Sequence, residues 1–408
     1  MDLKSKQIEK KHVRDHYLDW LRVIGMVMVF CFHVGRVFDV VDWHIKNPQV
    51  SYGMTVFTGF IIQWLMPLFF LLAGAASYLA LRFKSKTYYI KERFKRLIVP
   101  FVCGLFILIP PQEYIQQLDE GKYRGAFLNF YPHFLDGMRP EYNLRWFFAY
   151  SHNLWFLGFL FIFSLLALPI FLLLNRKSGL NVFSGINAIG QKPFGIFLFI
   201  VPIASIQVAL RARFSQYLDW ADFFFWFAFF LYGYIIRSDI KYRIAVVNNR
   251  IIGLIMGVVC SGILAFLLAK GCVEVWELSP KFTLGFAIYQ ILRTINIWSW
   301  IVFLLGVCIK YLNHSNKLLK YANEAALPFY MIHQTILFIT AYYIMPMNVG
   351  IALKFIATFI ITFILTVFVY DFVVRRTNVT RFIFGLKGLE NSSLSSGPTN
   401  KVGAGSRI

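Results

Sequence analysis

Apolar segments recur along this chain at about 18–39, 56–81, 97–111, 153–174, 194–210, 218–236, 251–269, 283–309, 324–345 and 350–372. Most of them meet the roughly 20 residues that an α-helix needs to cross the hydrocarbon of a bilayer, while the third and fifth are marginal. No water is available there to satisfy a peptide group, so the segments must be helices and not irregular chain. The expected architecture is all-α, a polytopic membrane bundle of about ten transmembrane helices. With 58% hydrophobic and 15% charged residues, the 408-residue chain is too apolar for a soluble domain of that size.

The first apolar run has a basic flank but is too long for a signal peptide, and no small-residue cleavage site follows it. It reads as a retained span. Residues 1–17 are then a cytoplasmic basic N-terminus, 18–372 the transmembrane domain and 373–408 a cytoplasmic tail. The Ser/Gly-rich part after Leu389 is expected to be disordered.

A net charge of +21 invites a nucleic-acid reading, which the placement of the charges argues against. With ten spans and the N-terminus inside, and with Arg36 and Lys354 at the outer span ends counted as outer, the inner segments hold 28 Lys or Arg and the outer segments 11, leaving Arg22 and Arg293 within spans. That is the positive-inside bias. The expectation is a multi-pass protein of the plasma (inner) membrane, with lipid and not nucleic acid as its surroundings. The five cysteines show neither a C-x-x-C pair nor metal-ligand spacing, so no disulfide framework or metal site is expected. There is no evident internal repeat, which disfavours repeat-built transporters. Pro67 and Pro328 fall inside spans and are expected to kink them. The sequence leaves the oligomeric state open.

The outer segment from Gln112 to His152 interleaves acids (Glu113, Asp119, Glu120, Asp136, Glu141) with Tyr114, Tyr123, Tyr131, Tyr142 and Trp146. It reads either as an interfacial aromatic belt or as a cover over an outward-facing site.

Within the first span, Arg22 and His33 are eleven residues apart, so they return to nearly one helix face, displaced by roughly 16 Å along the axis. Ionisable groups in hydrocarbon are functional-site candidates. Asp19 can reach Arg22, which either snorkels to the headgroups or faces the bundle to bind an anion. His33 lies too deep to snorkel. It is either an interhelical hydrogen-bond partner or a general base on a hydroxyl, for which an imidazole titrating near ~6.5 is suited. His333, with Tyr330 nearly one turn earlier, can share a polar cavity with it. In the eighth span Gln290, Arg293 and Asn296 stack on one side, and Arg293 can offer charge to an oxyanion or a substrate carboxylate. Arg93 and Arg96 stand at the inner rim before span three, where topology alone calls for cations and forked guanidinium donors also suit phosphate.

Taken together, these pieces resemble the acyltransferase-3 membrane family. The resemblance lies in HYLDWLRVIGMVMVFCFHV, with its Arg, ten residues and His, and in LMPLFFLLAG, ERFKRLIVP, NLWFLGFL and LPFYMIH, which follow in order. It implies transfer of an acyl group from a cytoplasmic donor, typically acyl-CoA, to a hydroxyl of an extracytoplasmic glycan, with no bound cofactor. By the same resemblance His33 is the catalytic histidine, Arg22 its motif partner, and Arg93 and Arg96 the donor-side basic residues. His333 is taken with them as catalytic, and Arg293, Gln290 and Tyr330 as acceptor or oxyanion residues. Two positions depart from the family pattern. Ala73 stands where many members have Ser, and Asn153 stands where they have His, with His152 displaced by one. The alternative is an anion- or proton-coupled transporter that uses the same intramembrane charges.

Overall fold

The computed structural model describes residues 15–137, 150–174, 194–278 and 280–389, and among these every regular element is helical. The N-terminal fourteen residues, the tail beyond Leu389 and the outer-segment residues Glu141, Tyr142 and Trp146 lie outside the described residues.

Each apolar segment forms a helix. In chain order the elements are α1 (His16–Arg36), α2 (Tyr52–Phe83), a composite α3 (Lys86–Asp119), α4 (Phe127–Gly137), α5 (Trp155–Leu174), α6 (Ile200–Leu210) and α7 (Trp220–Ser238). After them come α8 (Ile240–Asn248), α9 (Arg250–Ala269), α10 (Cys272–Leu278), α11 (Leu284–Tyr311), α12 (Lys317–Ile344), α13 (Ile351–Val369) and α14 (Asn378–Ile383). Eight of the helical stretches are long and apolar enough to cross a membrane. The bent pair α7–α8, turning by 105° at Asp239, passes that test together and makes nine when counted as one span. The protein is an integral membrane protein.

Two marginal segments differ instructively from the sequence expectation. Segment three is apolar over only about 15 residues, yet its helix runs from Lys86 to Asp119 through a π-turn at Phe94–Ile98. Its charged and amide-rich ends extend beyond the hydrocarbon, so the outer segment begins in helix and not in loop. Segment five is short, but a 3-10 turn at Gly195–Phe199 precedes α6. Rises of ~2.0 Å and ~1.5 Å per residue give the pair a length of roughly 26 Å, close to the hydrocarbon thickness. The helices α2 and α12 continue through Pro67 and Pro328, both buried, where neighbouring helices surround them.

The ends of the helices sort onto two faces. On one, Asp15 pairs with Arg237 and with Arg243 (3.5 Å), and Trp20 donates to the His314 carbonyl (3.0 Å). On the other, Lys354 donates to Asn47 Oδ1 (3.2 Å) and the Met345 carbonyl (2.6 Å). Hence α1 and α12 run parallel, joined low by Arg22 to Asn323 (2.7 Å) and high by His33 to His333 (2.9 Å). Parallel course across the intervening chain requires an odd number of crossings between them. The seven apolar segments between α1 and α12 satisfy that requirement, and α6 and α7, which meet at their loop through the Arg211–Asp222 pair, form a hairpin that preserves it.

The tightest helix contact joins α2 to α7. A Cβ added to Gly74 would lie 1.8 Å from the Phe230 carbonyl oxygen, and one added to Gly233 would lie 1.8 Å from that of Leu71. With lipid as apolar as the side chains, such close backbone packing is what holds membrane helices together.

Candidate active site

A cavity of about 890 Å³ opens beside His33. Its wall is built from the upper turns of α1 (His33, Arg36), the loop that follows (Trp43, His44), Thr58 and Gln63 of α2, and His152 and Trp155 at the start of α5. Across from these stand Ser261 of α9, Glu277 of α10, Tyr289 and Arg293 of α11, and Gln334 of α12. The size is that of a small-molecule site.

His33 faces the cavity, and His333, fully buried, lies behind it. Hydrogen-bond bookkeeping fixes the protons of the neutral pair. The Phe329 carbonyl can only accept, so His333 Nδ1 carries a hydrogen and donates to it at 3.0 Å. His333 Nε2 is then the acceptor, and His33 Nδ1 donates to it at 2.9 Å. His33 Nε2 is left unprotonated on the cavity side. The Trp43 ring stacks over His33, 6.1 Å between centroids and 18° from parallel. A base with a fixed tautomer is the arrangement that general-base chemistry requires.

Trp43 and His44 are held by an ion cluster in the loop between α1 and α2. The fully buried Asp39 accepts from Arg36 (2.7 Å), Lys46 (2.8 Å) and Thr58 (2.9 Å), and Lys46 also donates to the Arg36 carbonyl (2.7 Å). Two further imidazoles stand on this side. His152 donates through Nε2 to Glu113 (2.6 Å), and its ring stacks on His44 with 4.5 Å between centroids. Burial, with His152 beside it, pushes His44 down to about 4 and keeps the ring neutral at physiological pH.

The residues expected from the sequence are distributed as follows. Arg22 keeps its predicted bond to Asp19 (3.2 Å) and gains a second to Asn323, well below the cavity. Arg293 is in the cavity wall, paired with Glu277 at 3.3 Å, and Glu277 also accepts from the Tyr289 hydroxyl at 2.8 Å. Gln290 is fully buried and does not contribute to the wall among the described residues. The Tyr330 hydroxyl donates to the Asn153 carbonyl, and the Asn153 amide donates back to the Tyr330 carbonyl at 2.8 Å. This reciprocal pair pins the 3-10 turn His152–Leu154 to α12, so Tyr330 supports the site without lining it. The family-pattern departure at 152–153 acquires a physical form: His152 reaches the wall from a left-handed backbone (φ 47°), and Asn153 takes the anchoring position.

Arg93 and Arg96 sit on the Asp15-bearing face. Arg93 donates to Ser77 (2.8 Å), which also accepts from Tyr89 (3.0 Å), and Arg96 pairs with Glu92 at 3.1 Å. Among the described residues no group of three His, Cys, Asp or Glu could hold a metal ion.

Sequence reasoning did not single out Trp43, His44, Gln116 or Asn323. The available signal was the concentration of His44, His152 and Glu113 at one end of the spans.

Among curated proteins the chain is similar to glucans biosynthesis protein C of Escherichia coli (strain SMS-3-5 / SECEC), 31% identical over 160 residues, 39% of each chain. The protein of that name from Shigella dysenteriae serotype 1 is 30% identical over 160 residues, again 39% of each. These alignments thus span well under half of those relatives. The Salmonella heidelberg (strain SL476) protein is 25% identical over 348 residues, covering 82% of this chain and 85% of that one. No solved structure matches. The model of the acyltransferase domain family matches residues 15–371, nearly the whole bundle, and the chain belongs to that family.

Proposed function

We propose that this membrane acyltransferase moves an acyl group from cytoplasmic acyl-CoA to a hydroxyl of an extracytoplasmic glycan, with His33 as general base. The observation that carries the reading is the unprotonated Nε2 of His33, fixed by His333 and the Phe329 carbonyl and facing a cavity.

The excess of Lys and Arg on the Asp15-bearing face supports its assignment to the cytoplasm in a plasma (inner) membrane, which makes both ends of the chain cytoplasmic. Arg93 and Arg96 on that face would take the donor's phosphates, and Arg22 lies on the route from there to His33. The acceptor would enter from the opposite face, where Arg293 and the aromatic rings line the cavity. As the acceptor oxygen attacks the thioester carbon, its proton passes to His33 Nε2. The C–S bond then breaks and the same proton goes to the departing thiolate, giving an O-ester and free CoA thiol. No covalent enzyme intermediate is needed. The aliphatic hydroxyls in the wall are committed to structure, Thr55 to the Ser51 carbonyl (3.3 Å), Thr58 to Asp39 (2.9 Å), which is itself bound by Arg36 and Lys46, and Ser261 to Asn296 (2.9 Å).

The test is a sealed proteoliposome with acetyl- or succinyl-CoA at one face and, after the glucans in the relatives' names, a glucose oligomer at the other. The expected result is a mass gain on the oligomer equal to one acyl group. Flux of substrate without ester formation would instead favour transport. On the donor side, Arg93→Gln is expected to raise the KM for acyl-CoA by about tenfold, the loss of ~1.4 kcal/mol of charge-assisted phosphate binding, with the acceptor KM unchanged. Initial-rate kinetics with each substrate varied in turn checks this split.

A further inference from the structure

His44 is the second imidazole in the cavity wall, on the loop between α1 and α2 and next in sequence to Trp43, which stacks on His33. A chain of polar contacts fixes its protonation from behind. Lys122 pairs with Glu120 at 2.6 Å, and Glu120 accepts from the Gln116 amide nitrogen at 2.8 Å. That orients the Gln116 amide oxygen towards His44, whose Nδ1 donates to it at 2.6 Å. In the neutral ring Nε2 is therefore a bare acceptor, and it has no hydrogen-bond partner among the described residues. The transfer chemistry does not use it, because the proton that His33 takes leaves with the thiol.

We infer that His44 is an acceptor-binding residue, its Nε2 receiving a hydrogen bond from a second hydroxyl of a polyol acceptor whose reacting hydroxyl lies at His33. The site would then read a pair of hydroxyls, one at each tautomer-locked imidazole, with the Trp43 indole as an apolar platform between them. A simple alcohol offers only the first contact, and a sugar offers both. This rests on the acyl-transfer reading for the identity of the reacting hydroxyl.

Two measurements separate the inference from that reading. Equilibrium binding of a glucose oligomer to the detergent-solubilised protein requires no turnover. His44→Phe, which keeps an aromatic ring against His152 but removes the acceptor nitrogen, is expected to weaken that binding by about tenfold. His44→Gln, which restores an acceptor oxygen, is expected to recover most of it. Equal oligomer affinity in wild type and His44→Phe would overturn the inference. So would an equal loss in His44→Gln and His44→Phe at wild-type folded yield, since ring packing alone would then account for it. Should His44→Phe not fold, Gln116→Leu leaves the cavity wall intact while releasing the tautomer. It should then weaken binding several-fold, and unchanged affinity would count equally against the inference. Absence of transfer by the wild type would sink the acyl-transfer reading while leaving the binding comparison in force.

Discussion

His33→Ala is expected to lose acyl transfer by about 10²–10⁴-fold at matched folded yield, the range that a positioned general base contributes. The loss should fall on kcat, because the ring makes its decisive contact with a proton in flight. His333 acts one step back, by accepting the His33 Nδ1 hydrogen at 2.9 Å. His333→Phe removes that acceptor and lets the proton settle on either nitrogen, so a smaller loss, on the order of tenfold, is expected. His333→Gln can present an amide oxygen to the same hydrogen and should keep more activity than His333→Phe. Equal activity in the two would show that His333 only fills space. Rates from purified variants in lipid, with both substrates saturating, check the ordering.

Gly233→Ala should have the largest effect on folded protein. Its new Cβ would stand 1.8 Å from the Leu71 carbonyl oxygen and 3.0 Å from the Ala75 backbone nitrogen. Neither can rotate away as a side chain tip does. The two helices must separate by more than an ångström, and the reciprocal contact of Gly74 with Phe230 is lost with them. Overpacking costs about 1–3 kcal/mol where side chains can yield. With backbone on both sides, on the order of 3 kcal/mol is expected, a shift of roughly a hundredfold in the folding equilibrium. Gly262, with nothing within 4 Å of its virtual Cβ, is the control. Gly262→Ala in the middle of α9 should be neutral or slightly stabilising. Thermal melting of the detergent-solubilised variants, followed by size-exclusion recovery, distinguishes the two.

Much of the fold is legible in the sequence because hydrocarbon thickness imposes a length on every span. All ten apolar segments became helices, and even the two marginal ones follow from geometry: a 3-10 turn lengthens one, and polar ends extend the other. The depth of Arg22 and His33 follows from position alone. Their partners do not. Asn323 and His333 are some 300 residues away in sequence, and only the packing of α1 against α12 selects them. His44 and Gln116 are 72 residues apart, one of them in a loop without periodicity, so no spacing rule could join them. Arg293 is visible in the sequence as a charge within a span, and Glu277, which pairs with it, comes from the short α10 just before α11. Gln290 shares the three-residue spacing of Arg293 but is buried away from the cavity wall among the described residues. Tyr330 is close to His333 in sequence, which suggests a shared cavity. Its hydroxyl is instead spent on the Asn153 carbonyl, a main-chain contact that no side-chain spacing announces.

The central claim is that His33 presents an unprotonated Nε2 to the cavity because His333 holds the proton at Nδ1. Solid-state ¹⁵N spectra of histidine-labelled protein in lipid, with the His33 signals identified by their disappearance in His33→Asn, read this directly. The expected spectrum shows a protonated Nδ1 and a bare Nε2 at His33. A proton found on Nε2, with Nδ1 bare, would contradict the account.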